Sequence, residues 1–296
     1  MLEHLNAGAA PPERVVVIGA AGFVGAAIVR NLRARGIETH AVTRQNVNLL
    51  APDAAKELAQ NLRATDSVVA AAAIAPVKTP AMLRENIVLI EAIADALRRR
   101  PVAHIVNIGS DAVFADSELP LTEASCRSPG SLHGIMHLTR EVMLAEAAGH
   151  APFATLRSTL IYGADDPHNG YGPNRFRRLA AEGKPIVLFG NGEERRDHVW
   201  VEDVAELAAR MLLHRSRGSL NAATGTVISF REAAEIMTGL FKNVSSIEHS
   251  PRQGPMPHNG YRPFDPAATS AAFPDFAYTL PCDGFAKVHA AACEAA

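Results

Sequence analysis

Cysteine, tryptophan and tyrosine are scarce in this chain, with 3 Cys, 1 Trp and 4 Tyr among 296 residues. Cys126, Cys282 and Cys293 are odd in number and show no CxxC spacing. That excludes a disulfide framework or a thiolate zinc cluster and fits a reducing cytoplasm. Cys126 and Cys282 lack a helix-terminal or cationic context, so they are expected to be buried or inert. Neither sign of charge dominates: 29 basic and 31 acidic side chains leave −2, with a pI of about 6.6. A nucleic-acid backbone binder needs a basic surface and is not expected. No apolar run approaches the ~18 residues of a membrane helix. Met1–Arg14 has neither a basic n-region nor an apolar h-region, so no signal peptide is expected. Histidine, by contrast, outnumbers tyrosine 12 to 4.

What is present is an ordinary folded composition, 48% hydrophobic and 20% charged, long enough for one large or two modest domains. Short apolar runs alternate with helical patterns. Arg14–Ile18, Glu38–Thr43, Ser67–Ala72, His104–Ile108 and Phe153–Leu160 read as strands. Gly22–Arg35, Asp53–Arg63, Pro80–Arg99 and Ser131–Ala147 read as helices. Such alternation implies right-handed crossovers and a parallel sheet covered on both faces. After Gly163 the pattern changes. Residues 164–174 read as a loop, Arg175–Glu182 as a helix, Ile186–Phe189 as a strand and 190–192 as a turn. Val204–His214 and Phe230–Lys242 read as helices, with a strand at Ser219–Ala222. Residues 250–266 suggest an ordered loop or flap, and Cys282–Ala295 a terminal helix.

Gly19, Gly22 and Gly25 fall between the first strand and the first helix. Glycines there permit a tight turn and let backbone N–H groups approach a pyrophosphate at the helix N-terminus. The GxxGxxG spacing resembles the extended short-chain dehydrogenase/reductase superfamily, and further segments resemble its NAD-dependent epimerase/dehydratase family. They are Asp66–Ala73, Asn86 in the long helix, Ile108–Phe114, Leu156–Gly163 and Phe189–Val204. The resemblance implies a doubly wound α/β Rossmann sheet with a smaller, discontinuous α/β substrate domain. Residues 1–163 and 200–222 would bind a dinucleotide, and 164–199 and 223–296 a small-molecule substrate, in the family mostly a nucleotide sugar. A homodimer through Pro80–Arg99 and Ser131–Ala147 is also implied.

By the same resemblance the cofactor would contact Gly19, Gly22, Phe23, Val24, Gly25, Asn48, Leu49, Ala71, Ala72, Ala73, Asn86 and Ser158. The second strand ends in Thr43 and Arg44, where a carboxylate would favour NAD. A guanidinium there suits a 2′-phosphate, so NADP is expected, with NAD possible.

In the family a YxxxK pair handles the proton, helped by a Ser or Thr. Ser110 matches the hydroxyl, but no YxxxK occurs in this chain. His133 stands where the Tyr is expected and His137 where the Lys is. An imidazole titrating near ~6.5 could replace the Tyr as acid/base. Alternatively the fold binds cofactor and ligand without ordinary redox turnover. Two His at i, i+4 could also hold a metal with His168 or His198, but HExxH is lacking and no metal is expected. On the substrate side Arg196 would meet a diphosphate, with Arg262 a weaker candidate. Asn174 would cap a helix or meet the nucleotide, and Asp203 would cap the helix beginning at Val204. Leu160 stands where many family members place an Asn near the substrate.

Overall fold

Short apolar runs that alternate with helical patterns set the first half of the fold, starting with the valine run of Val15–Ile18 closed by the turn at Gly19. The computed structural model describes residues 2–242 and 244–294. Strands β1 (Val15–Ile18), β2 (Thr39–Val42), β3 (Ser67–Ala70), β4 (His104–Ser110) and β5 (Phe153–Ser158) alternate with helices α1 (Phe23–Ala34), α2 (Ala54–Gln60), α3 (Pro80–Arg99) and α4 (Leu132–Ala147). Then follow β6 (Leu160–Tyr162), α5 (Pro173–Ala181), β7 (Ile186–Phe189), β8 (Arg195–Trp200), α6 (Val201–Leu213) and β9 (Gly218–Ala222). The chain continues through β10 (Val227–Ser229), α7 (Phe230–Leu240), β11 (Ile247–Ser250), β12 (Tyr261–Arg262), α8 (Ala267–Ala272) and α9 (Pro281–Glu294).

The main sheet is parallel and ordered β2-β1-β3-β4-β5-β9. Its side chains alternate between two cores. Val15 and Val17 pack with α1 and α6, whereas Val16 and Ile18 pack with α2, α3 and α4. The strand order reverses between β1 and β3, which opens a crevice at their carboxyl ends. Thr79 caps α3 by accepting the Met82 N–H, and Ser131 caps α4 by accepting that of Gly134. The smaller part is built on β8, which pairs with β6, β10 and β12, and on the β7–β11 pair. Phe176, Leu188, Phe230 and Phe285 fill its core.

Several elements differ from the sequence reading. The run Phe153–Leu160 is two strands. Thr159 leaves the main sheet, its hydroxyl donating to Asp197 Oδ1 at 2.9 Å, so β6 joins β8. Helix α6 begins at Val201 with Trp200 as its N-cap residue, so Asp203 is not a cap. Its carboxylate instead accepts the backbone N–H of Thr279 at 2.7 Å and its hydroxyl at 3.2 Å. Helix α5 starts at Pro173, which puts Asn174 inside it. Cys126 and Cys282 are exposed rather than buried, as is Cys293. The terminal helix reaches Glu294, and Ala295 lies outside the described residues. Among the described residues no helix is long and apolar enough to cross a membrane.

Candidate active site

The turn after β1 is shaped by contacts that no side chain could share. Gly19 has φ +89°, and a Cβ on it would sit 2.6 Å from the Ala72 backbone. A Cβ on Gly25 would lie 2.2 Å from the Gly19 carbonyl oxygen. Helix α1 therefore packs tightly on the turn. Its N-terminus has no side-chain cap and no acidic residue in the first turn. Free N–H groups and the positive helix end suit an anion there. Gly22, Phe23, Val24, Gly25, Ala71 and Ala73 line a cleft of about 1530 Å³. The cradle fits a dinucleotide pyrophosphate.

Other expected cofactor residues fall into different roles. Ser158 lines the cleft with its Oγ buried and unpartnered among the described residues. Gly19 and Ala72 press on each other just behind the lining. Asn86 is buried and clamps the loop after β3, accepting the Ile74 N–H and donating to the carbonyls of Ile74 and Met82. It holds the cofactor-side loop rather than facing the cleft. Beyond β2, Arg44 and Asn48 are exposed and Leu49 is buried. Thr43 is held by Asn46, whose Oδ1 accepts both its N–H and its hydroxyl.

Ser110, His133 and His137 line the same cleft. Ser110 ends β4, accepts the Ala112 N–H at 3.2 Å and donates to Asp111 Oδ1 at 3.3 Å. The imidazoles of His133 and His137 meet edge to face, centroids 4.7 Å apart. Burial holds both below the ordinary imidazole range. For His133, Asp111 works against that and His168 reinforces it. For His137 the neighbours His133 and Arg140 add to burial and push it well down. Two neutral rings avoid the repulsion that paired imidazolium ions would suffer. Beneath them lies Arg140, wholly buried, donating to Asn107 Oδ1 at 2.6 Å and to the carbonyls of Ala70 and Ala72. Burial brings its guanidinium down to about 10. Among the described residues no cluster of His, Cys, Asp and Glu is arranged to hold a metal.

On the far wall Arg196 is buried and pairs with Glu194 through Nε at 2.9 Å and Nη2 at 2.6 Å. Arg252 joins the same carboxylate at 3.3 Å. Arg262 is not a free phosphate donor in this arrangement. Its Nε reaches Asp111 Oδ2 at 2.9 Å, Nη1 meets Asp116 and His258 at 3.0 Å, and Nη2 donates to the carbonyls of Asp111 and Phe114. It ties the 250–266 segment to the turn after β4. Asn174 lines the cleft and accepts the Gly163 N–H at 3.1 Å, bracing the end of β6. Asp197 is knotted to Thr159, Thr224 and Gly225, and burial raises its carboxyl to about 6. Leu160 exposes its side chain on the cleft.

Sequence reasoning gave His133 and His137 a catalytic place and named His168 and His198 only as possible metal ligands, yet all four and His258 line the cleft. The Arg196-x-His198 alternation was a legible signal, since residues i and i+2 share a strand face. His258, Glu194 and Arg252 carried none, because a flap pairs with positions far away in sequence.

The model of the NAD dependent epimerase/dehydratase family matches residues 15–223. The GDP-L-fucose synthase of Escherichia coli is 26% identical over 263 residues, 75% of this chain and 79% of that protein. The ADP-L-glycero-D-manno-heptose-6-epimerase of Thiobacillus denitrificans is 30% identical over 258 residues, 74% and 75% of the two chains. Among solved structures, the Thermus thermophilus UDP-glucose 4-epimerase in complex with NAD superposes with a TM-score of 0.79 at 22% identity, covering 96% of this chain and 100% of that one.

Proposed function

Because this chain belongs to the NAD dependent epimerase/dehydratase family, we propose that it is an NAD(P)-dependent oxidoreductase of that type. Its substrate is a nucleotide sugar or a related hydroxyl or carbonyl compound. One observation carries the reading: the glycine cradle, Ser110, His133 and Arg196 all open onto a single cleft. In this reading residues 1–163 and 200–222 hold the dinucleotide, and 164–199 and 223–296 hold the substrate. The free backbone N–H groups of Phe23, Val24 and Gly25 bind the pyrophosphate, and exposed Arg44 selects NADP through its 2′-phosphate. His133, in place of the usual Tyr, and Ser110 stand against the substrate oxygen. His137 faces the nicotinamide ribose, and Arg196 meets the diphosphate. The bound cofactor supplies or accepts hydride.

A homodimer through α3 and α4 completes the proposal, supported by the exposed apolar side chains of Val88, Ile135 and Val142 on those helices. The rival reading, a cofactor- and ligand-binding protein without redox turnover, draws on the missing YxxxK pair. Titration with NADPH and NADH, followed by a nucleotide-sugar panel, separates the two. Turnover that His133→Ala cuts about a hundredfold supports the enzyme. Tight cofactor binding with no conversion across the panel supports the rival.

A further inference from the structure

Val77, in the loop between β3 and α3, donates its backbone N–H to His133 Nδ1 at 3.4 Å. An amide nitrogen can only donate, so Nδ1 keeps its lone pair and the neutral ring carries its proton on Nε2. Among the described residues Nε2 has no partner, yet it is not one of the polar atoms sealed from solvent. The ring that bears it lines the cleft. The groups facing His133 are His137 on its own helix, Asp111 from the turn after β4, and His168 from the loop after β6. Asp111 alone favours a charged ring, and Arg262 already holds its Oδ2 at 2.9 Å. Under His137 the Arg140 guanidinium is locked by Asn107 and the carbonyls of Ala70 and Ala72. That fixed cation disfavours a second one on the histidine pair.

We propose that His133 acts as a neutral hydrogen-bond donor through Nε2–H, polarising a substrate carbonyl, with Val77 N–H as the group that positions it. The proposal rests on the reading that His133 meets the substrate oxygen. A ring so held has no lone pair on Nε2 with which to deprotonate an alcohol, so the site is built to reduce a carbonyl. The carbonyl carbon gains a hydride and its two electrons from the reduced nicotinamide cofactor. The C=O π pair moves to oxygen, where Nε2–H holds the oxyanion. The oxygen then takes a proton from water in the cleft, and the hydroxide leaves to solvent. A neutral imidazole has enough donor strength for such polarisation.

The test needs no turnover. Cofactor-free protein carrying ¹⁵N-histidine, with the His133 signals assigned through His133→Gln, gives two-bond ¹H–¹⁵N correlations that report the tautomer directly. The expected pattern is Nε2–H, unchanged at about pH 6, where an ordinary imidazole is largely charged. Val77→Pro removes the N–H and should release the tautomer, with circular dichroism confirming the fold. Should that variant not fold, the wild-type spectra decide alone. An Nδ1–H tautomer, or protonation at the ordinary midpoint or above, overturns the proposal. In NADPH oxidation with a dTDP-4-keto sugar, His133→Gln keeps a donor and should stay within about tenfold of wild type, whereas His133→Ala should lose about a hundredfold. Equal losses overturn it too. Failure of NADPH to bind would instead overturn the oxidoreductase reading.

Discussion

At Gly25 a single methyl group would collide with the Gly19 carbonyl, a backbone atom that cannot step aside. Gly25→Ala is expected to cost about 3 kcal/mol or more, by forcing α1 off the turn, and to weaken dinucleotide binding with it. Urea unfolding and NADPH titration read the two effects. Arg44 is a different kind of position, exposed and outside the packing. Arg44→Ala should leave stability and NADH affinity alone while weakening NADPH about tenfold to a hundredfold. Equal loss for both dinucleotides would remove the 2′-phosphate role. The glycines and the HxxxH spacing were legible because each signal is local. The neutrality of the two rings was not, since it depends on burial and on Arg140, Asp111 and His168. Of these only Arg140 shares their helix. Arg262, a weaker diphosphate candidate by sequence, is instead buried between two aspartates, which no local pattern announces.

Helix α4 carries the histidine pair on its first turns and Glu141 about one turn beyond His137. Glu141 is buried and accepts two hydrogen bonds from Arg157 on β5, at 2.8 and 2.9 Å. Glu141→Ala leaves that guanidinium unpaired in the interior and should cost about 3–5 kcal/mol. Chemical denaturation measures it, and a loss under about 1 kcal/mol would show that the arginine finds another partner. Elements with strong periodicity were readable in advance, α3 and α4 nearly to the residue. Of the strands of the smaller part, β7 at Ile186–Phe189 was readable to the residue and the others were not. β6 has three residues and β12 two, too few to display alternation, and each becomes a strand only by lying beside β8. The chain turn at Thr159 depends on Asp197, which is 38 residues away in sequence.

For the molecule as a whole, burial sets the response to acid. His104 and His198 are held down to about 4, against the ordinary 6.5. Their contribution to stability is complete above pH 6.5. It is lost as the pH falls through 4, because the unfolded chain takes up protons that the folded one refuses. Each should cost about 2 kcal/mol between pH 7 and 5. Asp197 and Asp203, raised to about 6 by burial, act oppositely. Their contribution is full below the ordinary 3.8 and disappears as the pH rises through 6. His104→Asn should therefore lose less stability than wild type between pH 7 and 5, and equal slopes in urea unfolding would contradict the assignment. Assembly is testable at the same scale. Val142→Glu charges the exposed face of α4 and should shift a dimer toward monomer in sedimentation velocity.

The Arg262 clamp has a consequence for recombination with relatives. The 250–266 segment grips Asp111 and Asp116, the residues that follow Ser110. The flap and the turn after β4 thus form one heritable unit assembled from two distant stretches of sequence. A chimera that imports a relative's flap without its matching turn would inherit unpaired aspartates beside Ser110, and would disturb that wall of the cleft while leaving every residue of the HxxxH helix untouched.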